Sequence, residues 1–181
     1  GQGHIVNPQG YIRELMKVFS QNGGKFINAR VEDFGFQNKK ISSVHTDNGN
    51  FECDKAIITA GIWSKELMLK LGLNIPLEAE RGYHVVYKNA SILPRNPMMM
   101  TIGKFGVTPM GSDLRCAGTV ELGGIKLGPS KAPIKLLRRR VAEAFPKMCY
   151  DKTEEWFGFR PTAPDSLCLL YTSDAADECD S

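Results

Sequence analysis

The 181 residues predict an α/β portion with an α+β portion inserted into it. Three observations predict this. Residues 56–60 are a short apolar run, Gly61 follows, and 64–71 is amphipathic. Such runs are typical of strands buried on both faces, and the strand–glycine–helix order is half of a nucleotide-binding unit. Upstream, 24–60 reads as a small strand meander feeding that run. Downstream of Arg81 the character changes to short alternating strands broken by Gly103, Gly111 and Gly118. That pattern suits an antiparallel sheet.

The elements follow in order. Asn7-Pro8 reads as an N-cap with proline at the first helical position. Tyr11, Leu15, Val18 and Phe19 recur at helical spacing, and Asn22-Gly23-Gly24 ends that helix. Strands are expected at 25–31, 34–36 and 41–46, then a hairpin turn at 47–50 leading into 51–53. The run 56–60 comes next, with Leu67, Met68 and Leu71 on one side of the helix behind it. At such a turn, backbone N–H groups can approach a phosphate or a ring edge. The same residues equally build an ordinary buried strand that ends in a turn. Residues 73–80 are a connection containing Pro76. Strands are expected at 82–87, 98–101, 104–109, 113–117 and 119–122, then a helix at 133–145 with Ile134, Leu137, Val141 and Phe145 inward. Met98, Met99 and Met100 read as core filling.

Composition narrows the function. The chain is 42% hydrophobic and 24% charged, ordinary for a globular protein. No apolar run approaches the ~20 residues of a membrane helix. No signal peptide opens the chain, and it lacks an initiator Met, so its start is expected to have been cut away. Five cysteines without a C-x-x-C pair suit a reduced compartment and give no metal site. Residues 168–181 carry four acids and no base, and they resemble translated read-through of a sequencing-library adapter. They are expected to be a non-native tail. Without those acids the net charge rises from +3 to +7. That suits an anionic cofactor or substrate. It is not a nucleic-acid footprint, because no basic stripe with interleaved aromatics is present. Arg138, Arg139 and Arg140 read as a solvated helix face.

Five stretches in order resemble the FAD-dependent D-amino-acid oxidase superfamily, and within it the bacterial D-amino-acid dehydrogenases and glycine/sarcosine-type oxidases. They are Gly3-His4-Ile5-Val6-Asn7-Pro8, the segment 56–64, Glu80-Arg81-Gly82-Tyr83-His84-Val85, the pair 105–110 with 114–121, and 156–167. The last contains Gly158-Phe159-Arg160-Pro161-Thr162-Ala163-Pro164-Asp165-Ser166-Leu167. The family's G-x-G-x-x-G pyrophosphate element is absent from this sequence, as is the glycine-rich element expected after Leu167. Truncation on both sides is therefore expected. The resemblance implies part of a glutathione-reductase-like FAD-binding domain over 1–80 and a substrate-binding domain with an antiparallel sheet over 81–155. The chain would return to the FAD domain over 156–167.

The resemblance also implies roles. Arg160 would anchor an amino-acid carboxylate through the planar fork of its guanidinium. Ala60 and Gly61 would lie near the flavin, with Trp63 and Ser64 behind them. Trp63 serves equally as packing between helix and sheet. Val31 would meet the adenine through its backbone. Tyr83 and His84 would contribute to substrate binding, but adjacent strand residues point to opposite faces, so only one can face the pocket. No protein base is required, because hydride passes from Cα to flavin N5. The implied reaction is FAD-dependent oxidative deamination of a D-amino acid or an N-substituted amino acid. Oxygen or a quinone chain would accept the electrons. The location would be cytoplasmic, with peripheral attachment at the inner membrane face as an alternative. The competing reading is a non-catalytic subunit, or a flavin-free fragment, of an amino-acid dehydrogenase complex. With no pyrophosphate element in it, the chain on its own is expected to be inactive and to purify colourless. A flavin spectrum at one FAD per chain would overturn that expectation.

Overall fold

Strand β4 (Glu78–Tyr87) buries every second residue. Ala79, Arg81, Tyr83, Val85 and Tyr87 point to one face, as the two-residue period of a strand requires. The molecule is a computed structural model that describes residues 5–165. The expected tail, and the motif ends at Gly3, His4, Ser166 and Leu167, lie outside the described residues. The chain divides into two compact units, Gly1–Phe26 with Glu80–Phe159, and Ile27–Ala79 with the chain from Arg160 onward.

The first unit is built on a five-stranded sheet in the order β5-β6-β7-β4-β8, with β5 Met98–Met100, β6 Phe105–Met110, β7 Asp113–Leu122 and β8 Thr153–Thr162. Helix α3 (Ala132–Ala144) covers the face that carries Tyr83, Val85 and Tyr87. Ile134, Leu137 and Val141 are buried as expected, and Phe145 packs at the margin. Val85, Phe105, Val107, Leu114 and Leu137 are fully buried. Each such side chain contributes about 1.5–3 kcal/mol on transfer grounds. Cys116 sits in the same core, where burial pushes its thiol up to about 12 and leaves it unreactive.

Two expected strands, 113–117 and 119–122, are one strand, β7. Gly118 does not break it. A Cβ at Gly118 would come within 2.8 Å of the Phe105 Cβ, so only glycine permits this approach of β7 to β6. Thr119, at φ 72°, is an extra residue between the partners of Gly82 and Tyr83. This is a β-bulge. The methionine expectation is corrected. Only Met100 packs on the core, while Met98 and Met99 are exposed on the edge strand.

Arg81 is 1% exposed, although arginine is seldom buried unless paired. Its Nη1 donates to Glu121 Oε2 at 2.7 Å and to the Gly128 carbonyl at 2.8 Å. Its Nη2 donates to the Gly124 carbonyl at 3.2 Å and to the Leu127 carbonyl. Phe157 and Phe159 place their rings 5.9 and 5.2 Å from its carbon Cζ. The Tyr83 hydroxyl donates to the same Glu121 oxygen and accepts from the Ser130 N–H at 3.2 Å.

Helix α1 (Pro8–Gln21) begins as expected, with Asn7 Oδ1 accepting from the Gly10 N–H at 2.9 Å and Pro8 in the first turn. Its apolar stripe is not buried. Tyr11, Leu15, Val18 and Phe19 are each about half exposed, so no described element covers that face.

The second unit contains the three-stranded antiparallel meander β1 (Val31–Gln37), β2 (Lys40–Thr46) and β3 (Gly49–Glu52). Asn38 and Lys39 both adopt positive φ between the paired Gln37 and Lys40. That is the geometry of a two-residue hairpin loop. Two expected strands are corrected. Residues 25–30 carry no strand, and Phe26 and Ile27 are exposed. Residues 56–60 belong to neither sheet and are not buried on both faces, since Ile57 is 89% exposed. Apolar composition favours an extended segment, but a strand exists only where a neighbour accepts its ladder bonds. The described residues supply none, so the parallel sheet expected here is not observed. Gly61 turns the chain at φ 57° into a single 3-10 turn, Gly61–Trp63, and helix α2 (Ser64–Lys70) follows. Phe34, Ile62, Leu77, Ala79 and Ala163 are the buried apolar residues of this unit among the described ones.

Glu121 supplies a test of the Arg81 network. The Tyr83 hydroxyl, then Ser130 and Arg81, hold its carboxyl at about 2, below the ordinary 4.5. A carboxylate depressed by folding adds stability that is complete above its unfolded value and fades as the pH falls through the folded one. Stability should therefore fall between pH 4.5 and about 2. Glu121→Gln should lower stability at neutral pH and flatten this acid slope in urea titrations followed by circular dichroism. Asp113 would keep part of the slope: burial raises its carboxyl, but the Lys88 and Asn89 hydrogen bonds hold it below its ordinary value on balance. An unchanged slope would remove Glu121 from the account.

Candidate functional site

In the second unit, the extended run and the meander enclose a cavity of about 370 Å³. Val31, Phe34 and Val44 come from the meander, Ala56 to Ala60 from the run, and Leu67 from α2. Ala56, Ile58 and Ala60 are half-buried and alternate with exposed Ile57 and Thr59, so one side of the run forms a wall. The cavity thus unites two residues singled out in the sequence, Val31 and Ala60. Its lining is apolar apart from Lys55, Thr59 and Cys53. An apolar lining with few polar groups is the usual character of a small-molecule site.

Gly61 follows directly at the turn, where its positive φ holds the backbone in a conformation that a side chain would strain. Trp63 is 52% exposed, and Ser64 opens α2 half-buried. Neither lines the cavity. Arg160 also belongs to this unit. It sits exposed near the end of β8, and its side chain makes no hydrogen bond or ion pair with another described residue.

In the first unit, Tyr83 and His84 separate as strand alternation demands. Tyr83 is buried, and its hydroxyl is committed to Glu121 and Ser130. His84 lies half-buried on the opposite face of β4, stacked on Trp156 with ring centroids 4.8 Å apart and planes at 17°. Burial lowers its pKa, and the positive charge of Arg115 lowers it further. His84 is thus harder to protonate than an ordinary histidine. Sequence reasoning gave no role to Arg81, Glu121 or Trp156. The signal for Arg81 was present, because it stands two residues before Tyr83 and so shares its face.

A family model described as FAD dependent oxidoreductase (DAO) matches residues 1–176. A D-amino-acid oxidase of Bradyrhizobium diazoefficiens is 34% identical over 180 residues, covering 97% of this chain and 43% of that protein. A D-amino acid dehydrogenase of Vibrio vulnificus is 29% identical over 164 residues, covering 88% of this chain and 39% of that protein. The chain therefore spans less than half the length of these relatives. The crystal structure of glycine oxidase from Bacillus cereus shares the fold at a TM-score of 0.67 and 22% identity, covering 84% of this chain and 44% of that one.

The His84 environment is open to direct measurement. Its imidazole should titrate below 6.5 when followed by NMR of the ring protons. Arg115→Gln should move that titration only part of the way back, since burial is the larger cause. Full restoration would show that charge, not burial, controls this histidine.

Proposed function

Because this chain belongs to the family of FAD dependent oxidoreductases, we propose that the enzyme built from it oxidises a D-amino acid or an N-substituted amino acid. The observation that carries this reading is the apolar cavity that brings Val31 and Ala60 together. Val31 and its neighbours in the cavity wall would hold the adenine side of FAD. Ala60 and the turn at Gly61 would face the flavin side, with Trp63 and Ser64 supporting that turn. When bound, FAD supplies a two-electron acceptor that takes hydride from the substrate Cα. Arg160 binds the substrate carboxylate through two parallel hydrogen bonds and so fixes which face of Cα is presented. Pro161 stiffens the backbone beside it. The substrate leaves as an imino acid, and water hydrolyses this to a 2-oxo acid and an amine or ammonia.

His84 is stacked on Trp156, which suits it to shaping its face of the sheet, and no protein base is needed for hydride transfer. Tyr83 is spent on the Arg81–Glu121 network. Oxygen or a quinone chain receives the electrons, since the relatives include both an oxidase and a dehydrogenase. Among the described residues, no helix is long and apolar enough to cross a membrane. Attachment at the inner face of a membrane would be peripheral.

Steady-state kinetics test the assignment in a flavin-loaded enzyme carrying this sequence. Arg160→Ala should raise the apparent substrate constant by roughly one to three decades on amino acids. Its effect on the matching decarboxylated amines should be small. Arg160→Lys should recover part of the loss, because an ammonium lacks the planar fork. Flavin content should stay unchanged. Equal kcat/KM for wild type and Arg160→Ala on the acids would remove Arg160 from the substrate site.

A further inference from the structure

The first unit contains a larger cavity, of about 560 Å³, between the start of α3 and β8. That volume lies in the range of small-molecule sites, roughly 300–1,000 Å³. Tyr83, Ile134, Trp156 and Phe157 contribute apolar and aromatic walls. The rim carries Lys131, Lys135, Arg138 and Glu155. Arg138 is already neutralised, since it pairs with Glu155 at 2.8 Å and donates to Thr153 Oγ1 at 2.6 Å. Lys131 and Lys135 form no ion pair with any described residue, and both are exposed. The rim therefore holds two uncompensated positive charges over an aromatic wall.

The local sequence makes this charge costly. Lys131 and Lys135 stand four residues apart on one side of α3, where like charges repel. Lys131 occupies the N-cap, which gives no side-chain capping bond, and the first turn contains no acid. Cations at that end also oppose the helix dipole. A local arrangement that runs against helix rules without internal compensation is where a binding site is expected.

We propose that this cavity binds a free small amphipathic carboxylate with an aromatic or branched apolar body. Lys131 and Lys135 would neutralise the carboxylate at the rim. The body would lie against Phe157, Ile134 and the exposed part of Trp156. A cationic ligand would meet the two lysines unfavourably, and a neutral one would gain only the apolar contact.

The two tryptophans, 63 and 156, allow a clean readout. In a Trp63→Phe background Trp156 alone reports the cavity by fluorescence. Phenylacetate should change that signal saturably. Neutral 2-phenylethanol should bind more weakly, and phenethylamine should not bind. The double variant Lys131→Glu/Lys135→Glu should weaken phenylacetate binding by roughly tenfold or more, the scale of two exposed charge pairs reversed. Lys126→Glu with Lys147→Glu makes the same charge change away from the cavity lining and should leave binding intact. Both lysine pairs are exposed, and an unchanged circular dichroism spectrum confirms the fold of each variant. Three results would overturn the proposal: equal response to all three compounds, equal loss in both double variants, or no saturation below about 10 mM, a range in which even weak fragments bind.

Discussion

A buried guanidinium organises the first unit. Arg81 uses four of its N–H groups on Glu121 and on the carbonyls of Gly124, Leu127 and Gly128. Those carbonyls lie in a loop with no helix or strand of its own to satisfy them. It is the Arg81 side that is buried: its guanidinium needs acceptors, and the carbonyls of the loop between β7 and α3 supply three of them. The loop in turn sets where α3 begins, through the Ser130 N–H on the Tyr83 hydroxyl. A lysine could not replace this. It has a single ammonium, whereas the planar fork reaches four acceptors at once and presents a flat face to Phe157 and Phe159.

Much of this unit was legible in the sequence, for a physical reason. Its strands and helix bury their apolar residues against one another, so periodicity and burial agree. Ile134, Leu137 and Val141 fell on the inner face of α3 as their spacing required. The second unit was legible in its hairpins and in the Gly61 turn with α2 behind it, where the chemistry is local. Asn38 and Lys39 form a tight loop without help from any distant element. The run 56–60 is different. Its apolar character signals a demand for neighbours, and sequence cannot say whether the described chain meets that demand. It does not, and Ile57 stays exposed. The same holds for α1, whose cap was read correctly and whose apolar stripe no described element covers.

The candidate site divides along the same line. Val31 and Ala60 share a cavity because the meander folds back on the run, a contact within one unit. Tyr83 and His84 were read as a pair pointing to opposite faces, and alternation along β4 puts Tyr83 on the core face. The assignment of Tyr83 to structure could not be read, because its partner Glu121 lies 38 residues further on.

That partnership rests on a single extra residue. On β7, Leu114, Cys116 and Gly118 stand opposite Tyr87, Val85 and Tyr83 on the core face. Continued without interruption, the same face would next receive Val120, and Glu121 would point away from Arg81. Thr119 interrupts it at positive φ, and the register shifts so that Glu121 stands opposite Arg81. A one-residue slip exchanges the two faces of a strand. The bulge therefore converts what would be an apolar position into the carboxylate that the buried arginine requires. Such a backbone is strained for a β-branched residue. The Thr119 hydroxyl also finds no partner among the described residues. The strain persists because the alternative register would bury an arginine without its counter-charge, a larger penalty than one unfavourable φ.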